Sequence, residues 1–203
     1  MTATTRLLVV LLVVLPLGLT TGYAAQAETA HGVQGSERAA VQTGPACTTN
    51  AVRGQRPRRA SINGIGSGIT VVRTPRTRTG AIGAPPTTRA GKKVLGWDPQ
   101  TKPGSGTGSV ILTAHTWPDG SALGNRLLRK LRRGGSFVLR AADGRRVCYD
   151  VVERRSYRAN RLPRSKAFRP WGPEQAVIVV CSGRRTGPGK WSHRTVWYAK
   201  PSP

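Results

Sequence analysis

Three residues in this 203-residue chain have types suited to acyl transfer: Cys181, His115 and Arg194. A thiolate is the attacking form of cysteine, and an ordinary thiol is mostly protonated at neutral pH. A guanidinium favours the thiolate and offers several donors to a developing oxyanion. An imidazole can protonate a departing amine. Together the three side chains suit attack on a carbonyl and passage through a thioester.

Their positions in the chain suggest how they could meet. His115 ends the apolar run 109–115 (SVILTAH), and Cys181 ends the apolar run 176–181 (AVIVVC). Arg194 opens the run 194–199 (RTVWYA). Runs of this length and β-branched content read as strands. Adjacent strands ending at one rim, with a short loop returning to Arg194, would gather the three groups.

Further strands are expected at 69–73 (ITVVR), 136–140 (SFVLR) and 146–153 (RVCYDVVE), with Asp143-Gly144 as a hairpin turn between the last two. Leu123, Leu127, Leu128 and Leu131 recur at helical spacing, arginines and Lys130 occupy the other faces, and Gly134 stops the segment. Many short strands and one helix predict a mainly β, closed or nearly closed barrel.

The first residues read as a targeting segment. Arg6 precedes the apolar run Leu7 to Leu19, and Ala25-Gln26-Ala27 offers small residues at cleavage spacing. The run is short of the roughly 20 residues of a membrane span. Residues 1–27 are therefore expected to be an export signal, either cleaved or kept as a membrane anchor. Residues 28–60, poor in large apolar side chains, are expected to be a flexible linker.

The chain holds 33 Lys+Arg against 8 Asp+Glu, a formal net charge of +25. Such a balance ordinarily suggests nucleic acid. In an exported chain the available polyanions are instead anionic lipid and acidic wall polymers, so no nucleic-acid partner is expected. An arginine-favouring composition accounts for the charge equally well.

Three cysteines, Cys47, Cys148 and Cys181, leave at least one thiol free or paired between molecules. Cys148 could pair with Cys181, which would silence the nucleophile, or with Cys47, which would leave it free. The expectation is a buried free thiol at Cys148. The acidic residues after position 60 are Asp98, Asp119, Asp143, Asp150, Glu153 and Glu174. They are too few for the several oxygen ligands of a hard cation, so no metal and no cofactor are expected.

Three segments resemble one enzyme family. Residues 113–125 (TAHTWPDGSALGN, which contains His115) look like the histidine segment of sortases, specifically the actinobacterial class F group. Residues 177–183 (VIVVCSG) resemble the sortase cysteine strand, and 194–199 resemble the arginine strand. Leu95-Gly96-Trp97, Pro103-Gly104 and Gly108 fit the stretch before the histidine. Where many sortases carry threonine before the cysteine, this chain has Val180.

The resemblance implies a sortase-type closed β-barrel of about eight strands with one or two short helices, spanning residues 61–203. It implies a cysteine transpeptidase that cleaves an LPxTG-like sorting signal in exported proteins. The acyl group would pass through Cys181 to an amine such as a peptidoglycan precursor, at the membrane or cell wall. His115 and Arg194 would be the other catalytic residues, and Thr113 and Val180 would form walls of the substrate groove. Other cysteine–histidine enzymes of the wall fit less well. Their peptidases usually place cysteine before histidine, and L,D-transpeptidases keep glycine directly before the cysteine. A non-catalytic basic barrel that binds wall polyanions is the rival outside enzymes.

Overall fold

The computed structural model describes residues 48–202. Eight strands close into one barrel: β1 (Arg59–Ile62), β2 (Gly66–Arg73), β3 (Leu95–Trp97), β4 (Ser109–Ala114), β5 (Ser136–Arg140), β6 (Arg146–Arg158), β7 (Gln175–Gly187) and β8 (Lys190–Pro201). Around the barrel their order is β1-β2-β3-β4-β7-β8-β6-β5, and β1 pairs with β5 to close it. Helix α1 (Leu123–Lys130) and the short α2 (Arg164–Ala167) complete the fold. The expected mainly β barrel of eight strands with two short helices is the architecture found.

The core follows from period-two alternation along the strands. Val110, Leu112 and Ala114 of β4, Ala176, Ile178 and Val180 of β7, and Trp197 and Ala199 of β8 point inward to one buried cluster. Leu123, Leu127 and Leu131 of the α1 segment join that cluster. The buried Trp197 donates its indole N–H to the Leu131 carbonyl at 3.1 Å, fastening α1 to the barrel. Phe137 and Tyr149 stack inside, with ring centroids 5.1 Å apart. Residues on the opposite faces, Val177, Val196 and Tyr198, form a second cluster with Ala167 of α2, joined by Leu162, Phe168 and Val179.

Residues 48–58, within the stretch expected to be a linker, lie against the barrel. Thr49 donates its hydroxyl to the Ser202 carbonyl at 2.8 Å and accepts the Cys148 N–H at 3.2 Å. Gln55 is buried and donates to the Leu139 carbonyl. These contacts are polar and backbone-directed, so no apolar pattern announces them. The expected export segment lies outside the described residues. Among the described residues, no helix is long and apolar enough to cross a membrane.

Cys148 is disulfide-bonded rather than a free thiol, contrary to expectation, and Cys181 is free. The arrangement leaves the candidate nucleophile available.

The loop before β4 is pinned by a buried carboxylate. Glu174 accepts the N–H groups of Gly104 at 2.9 Å and Gly106 at 2.7 Å, and the Tyr149 hydroxyl at 2.6 Å. Both glycines hold positive φ, 78° and 80°, so their amides can converge on one side chain. Burial, then the adjacent carboxylate, pushes the Tyr149 phenol well above its usual pKa and keeps it a donor. Glu174→Ala would leave the buried Tyr149 hydroxyl and the Gly104 and Gly106 amides without their acceptor. It is expected to cost about 3 kcal/mol in urea unfolding, and Tyr149→Phe about 1 kcal/mol.

Candidate active site

Strand pairing brings the three sequence-identified residues together. β4 and β7 run parallel, with Thr113 opposite Val179 and Ala114 opposite Val180. His115 therefore follows β4 at the level of Cys181. β7 and β8 form an antiparallel hairpin in which Cys181 is the direct partner of Arg194. Inward-facing Ala114, Val180 and Trp197 fix the parity of each strand. Alternation then puts His115, Cys181 and Arg194 on the outer face.

By their apolar runs, Cys181 would end one strand and Arg194 would open the next. Both instead lie within strands, because the hairpin arms continue beyond the barrel core. Gly183 to Thr186 are exposed and polar, so pairing there rests on backbone hydrogen bonds rather than burial.

A cavity of about 780 Å³ lies over this face, and His115, Cys181 and Arg194 all line it. One wall is the β2–β3 connection, with Ile82 and Gly83. Another is the β6–β7 connection, with Leu162 and Phe168. Thr113 and Val180, the expected groove-wall residues, also line the cavity. Thr113 commits its hydroxyl to the Gly83 carbonyl at 3.0 Å. Val180 is almost wholly buried in the barrel core.

Cys181 is half-buried, and burial pushes its thiol above the usual cysteine value. The Arg194 guanidinium opposes that shift without cancelling it. The resting sulfur is therefore a neutral thiol at neutral pH. Arg194 donates from one terminal nitrogen to the Trp191 carbonyl at 3.2 Å and the His193 carbonyl at 2.9 Å. These bonds aim the guanidinium and leave the donors on its other two nitrogens unused.

His115 places Nε2 2.6 Å from the Pro85 carbonyl. A carbonyl oxygen only accepts, so Nε2 carries the proton and Nδ1 is the nitrogen left for proton exchange. Pro85 belongs to the β2–β3 connection. That connection is held by the Thr113–Gly83 bond and by a 2.7 Å ion pair between Arg76 and the buried Asp98.

The segment after His115 is held just as closely. The Thr116 hydroxyl donates to the Cys181 carbonyl at 2.6 Å, tying the histidine segment to the nucleophile strand. Asn125 accepts the Trp117 N–H at 2.9 Å and donates to the Trp117 carbonyl at 3.1 Å. The Gly124 N–H donates to the His115 carbonyl at 2.8 Å. Pro85, Thr116, Gly124 and Asn125 were not singled out as functional in the sequence. Thr116, Gly124 and Asn125 stand inside the quoted histidine block, which was the available signal. Pro85 acts through its backbone and gives none.

A Cβ at Gly124 would overlap the His115 carbonyl oxygen and crowd the Thr116 hydroxyl. Gly124→Ala is therefore expected to lose about 1–3 kcal/mol by overpacking and to move the His115 amide in an NMR spectrum. Unchanged stability and an unmoved amide would show that the close approach does not position His115.

Among the described residues, no group of three or more His, Cys, Asp or Glu side chains is placed to hold a metal ion.

The fold is that of the sortases. Streptococcus agalactiae sortase C1, solved as a complex with MTSET, superposes with a TM-score of 0.53 at 16% identity, covering 73% of this chain and 70% of that one. Sortase C-1 from Actinomyces oris gives 0.52 at 18% identity, covering 71% of each. Sortase A from Corynebacterium diphtheriae gives 0.52 at 17% identity, covering 73% of this chain and 62% of that one. No family model and no curated protein matches the sequence.

Proposed function

We propose that this protein is a sortase-type cysteine transpeptidase, of the actinobacterial class F kind that its histidine block resembles. The observation that carries the reading is the shared outer face of His115, Cys181 and Arg194, with Cys181 and Arg194 as direct cross-strand partners at one cavity. The sortase fold supports it.

In this reading a sorting signal of LPxTG type, near the C-terminus of another exported protein, enters the cavity. The Cys181 thiol passes its proton to Nδ1 of His115, and the sulfur attacks the threonine carbonyl. The unused donors of Arg194 bind the oxyanion. As the tetrahedral intermediate collapses, the bond to glycine breaks. His115 gives a proton from Nδ1 to the departing amine, while the Pro85 carbonyl keeps Nε2–H fixed. A second amine, such as that of a peptidoglycan precursor, then attacks the thioester, and His115 takes its proton. The C–S bond breaks, His115 returns that proton to the departing Cys181 sulfur, and the product is an amide joining the client protein to the wall, with the thiol restored. The N-terminal export segment would place this chemistry outside the cytoplasm, at the membrane or wall.

Incubation with a library of sorting peptides, followed by intact-protein mass spectrometry, tests the reading. The expected result is a peptide-derived mass on Cys181 with release of the glycine-containing fragment. A library that yields no adduct under conditions where Cys181 is alkylated by iodoacetamide would sink it.

A further inference from the structure

The charge around the cavity is one-sided. Arg164, Arg185 and Arg194 line it, and no aspartate or glutamate does. All six described carboxylates are committed elsewhere. Asp98 pairs with Arg76, Asp119 with Lys92, Asp143 with Arg145, and Glu153 with Arg155 and Lys166. Asp150 accepts the Ser202 hydroxyl, and Glu174 is used by Tyr149 and the Gly104 and Gly106 amides.

Arg164 and Arg185 come from two different elements. Arg164 opens α2, and Arg185 lies four residues beyond Cys181 on β7. Neither guanidinium makes a hydrogen bond or ion pair with any described residue, whereas Arg126, Arg129, Arg132, Arg154 and Arg169 donate to backbone carbonyls. What distinguishes Arg164 and Arg185 is their place on a concave surface shared with apolar Leu162, Phe168 and Trp191. Both residues are exposed, so a single carboxylate–guanidinium pair there contributes little, and selectivity rests on two of them sharing one concave surface and acting at low salt. A guanidinium also matches a carboxylate in two parallel hydrogen bonds.

We infer that the peptide bound over Cys181 is anionic, with carboxylate side chains beside the scissile bond that Arg164 and Arg185 hold. Arg194 remains with the reacting carbonyl. The inference uses the transpeptidase reading to name the bond, but the charge preference belongs to the cavity and is measurable without turnover. The same chemistry could serve a phosphate or carboxylate on the acceptor amine. The donor peptide is the better fit, because it must occupy the cavity first for the thioester to form.

The test uses the Cys181→Ala protein and two fluorescent sorting peptides, identical except for glutamate or glutamine at the residue before the threonine and the residue after the glycine. Anisotropy should give tighter binding of the glutamate peptide by about tenfold at low salt. That ratio should shrink between about 0.05 M and about 0.5 M salt. Adding Arg164→Gln and Arg185→Gln together should bring the ratio to about twofold or less, with an unchanged denaturation midpoint as the fold control. Equal binding of the two peptides overturns the inference. So does a ratio that survives the double replacement, or no measurable binding of either peptide up to millimolar concentration. Single-turnover acylation of the wild-type protein by the same peptides keeps the two readings apart. Failure of both peptides to acylate removes the transpeptidase reading, while the binding ratio still decides the charge preference. A preference confined to the step that consumes an anionic amine assigns the two arginines to the acceptor and overturns the donor assignment.

Discussion

Replacing Cys181 with alanine is expected to abolish peptide cleavage and thioester capture, with a loss of at least about 10⁴-fold in turnover and no loss of fold. The sulfur is half-buried on the outer face and belongs to neither apolar cluster, so removing it opens no hole in the core. The disulfide at Cys148 makes the chemistry clean, because Cys181 is the free cysteine among the described residues. Under native oxidising conditions a thiol reagent should label Cys181 in the wild-type protein and lose that labelling in the variant. Peptide cleavage that persists in Cys181→Ala would displace the nucleophile assignment. A wild-type protein that processes no sorting peptide, yet binds wall polymer in a salt-sensitive way, would favour the basic binding barrel instead.

The elements legible in the sequence were those with an apolar period. The leucines of α1 fall on one buried face, and β5 occupies the residues expected from its alternation. β1, β3 and α2 are only four, three and four residues long, too short for a period to show. Their places are fixed by pairing with distant partners, such as Gly96 opposite Thr113. The candidate site was legible as residue types at strand ends, and the resemblance placed them in one chemistry. The register was not legible. That Cys181 faces Arg194 depends on the hairpin and on bulges between Ser182 and Gly187, where polar residues give no pattern. The support around His115 was hidden for another reason. It consists largely of backbone groups, the carbonyls of Pro85 and Cys181 and the amide of Gly124, which no side-chain type reports.

Arg194 offers the sharpest separation of charge from geometry. Burial raises the Cys181 thiol, and Arg194 is the group that pulls it back down. Arg194→Ala should therefore move the pH profile of Cys181 alkylation by iodoacetamide to higher pH. At any pH below the new midpoint less thiolate is present, and labelling is slower. The same change removes the oxyanion donors, so acylation should fall about 10²–10³-fold, more than the thiolate fraction alone accounts for. Arg194→Lys keeps a positive charge but lacks the planar set of donors that remains after the Trp191 and His193 carbonyls are satisfied. Its alkylation profile should stay near that of the wild type while its acylation rate remains low. If both rates return together in the lysine protein, Arg194 acts as a point charge on the sulfur and some other group binds the oxyanion. If neither the profile nor the acylation rate moves in Arg194→Ala, the cross-strand pairing with Cys181 has no part in the reaction.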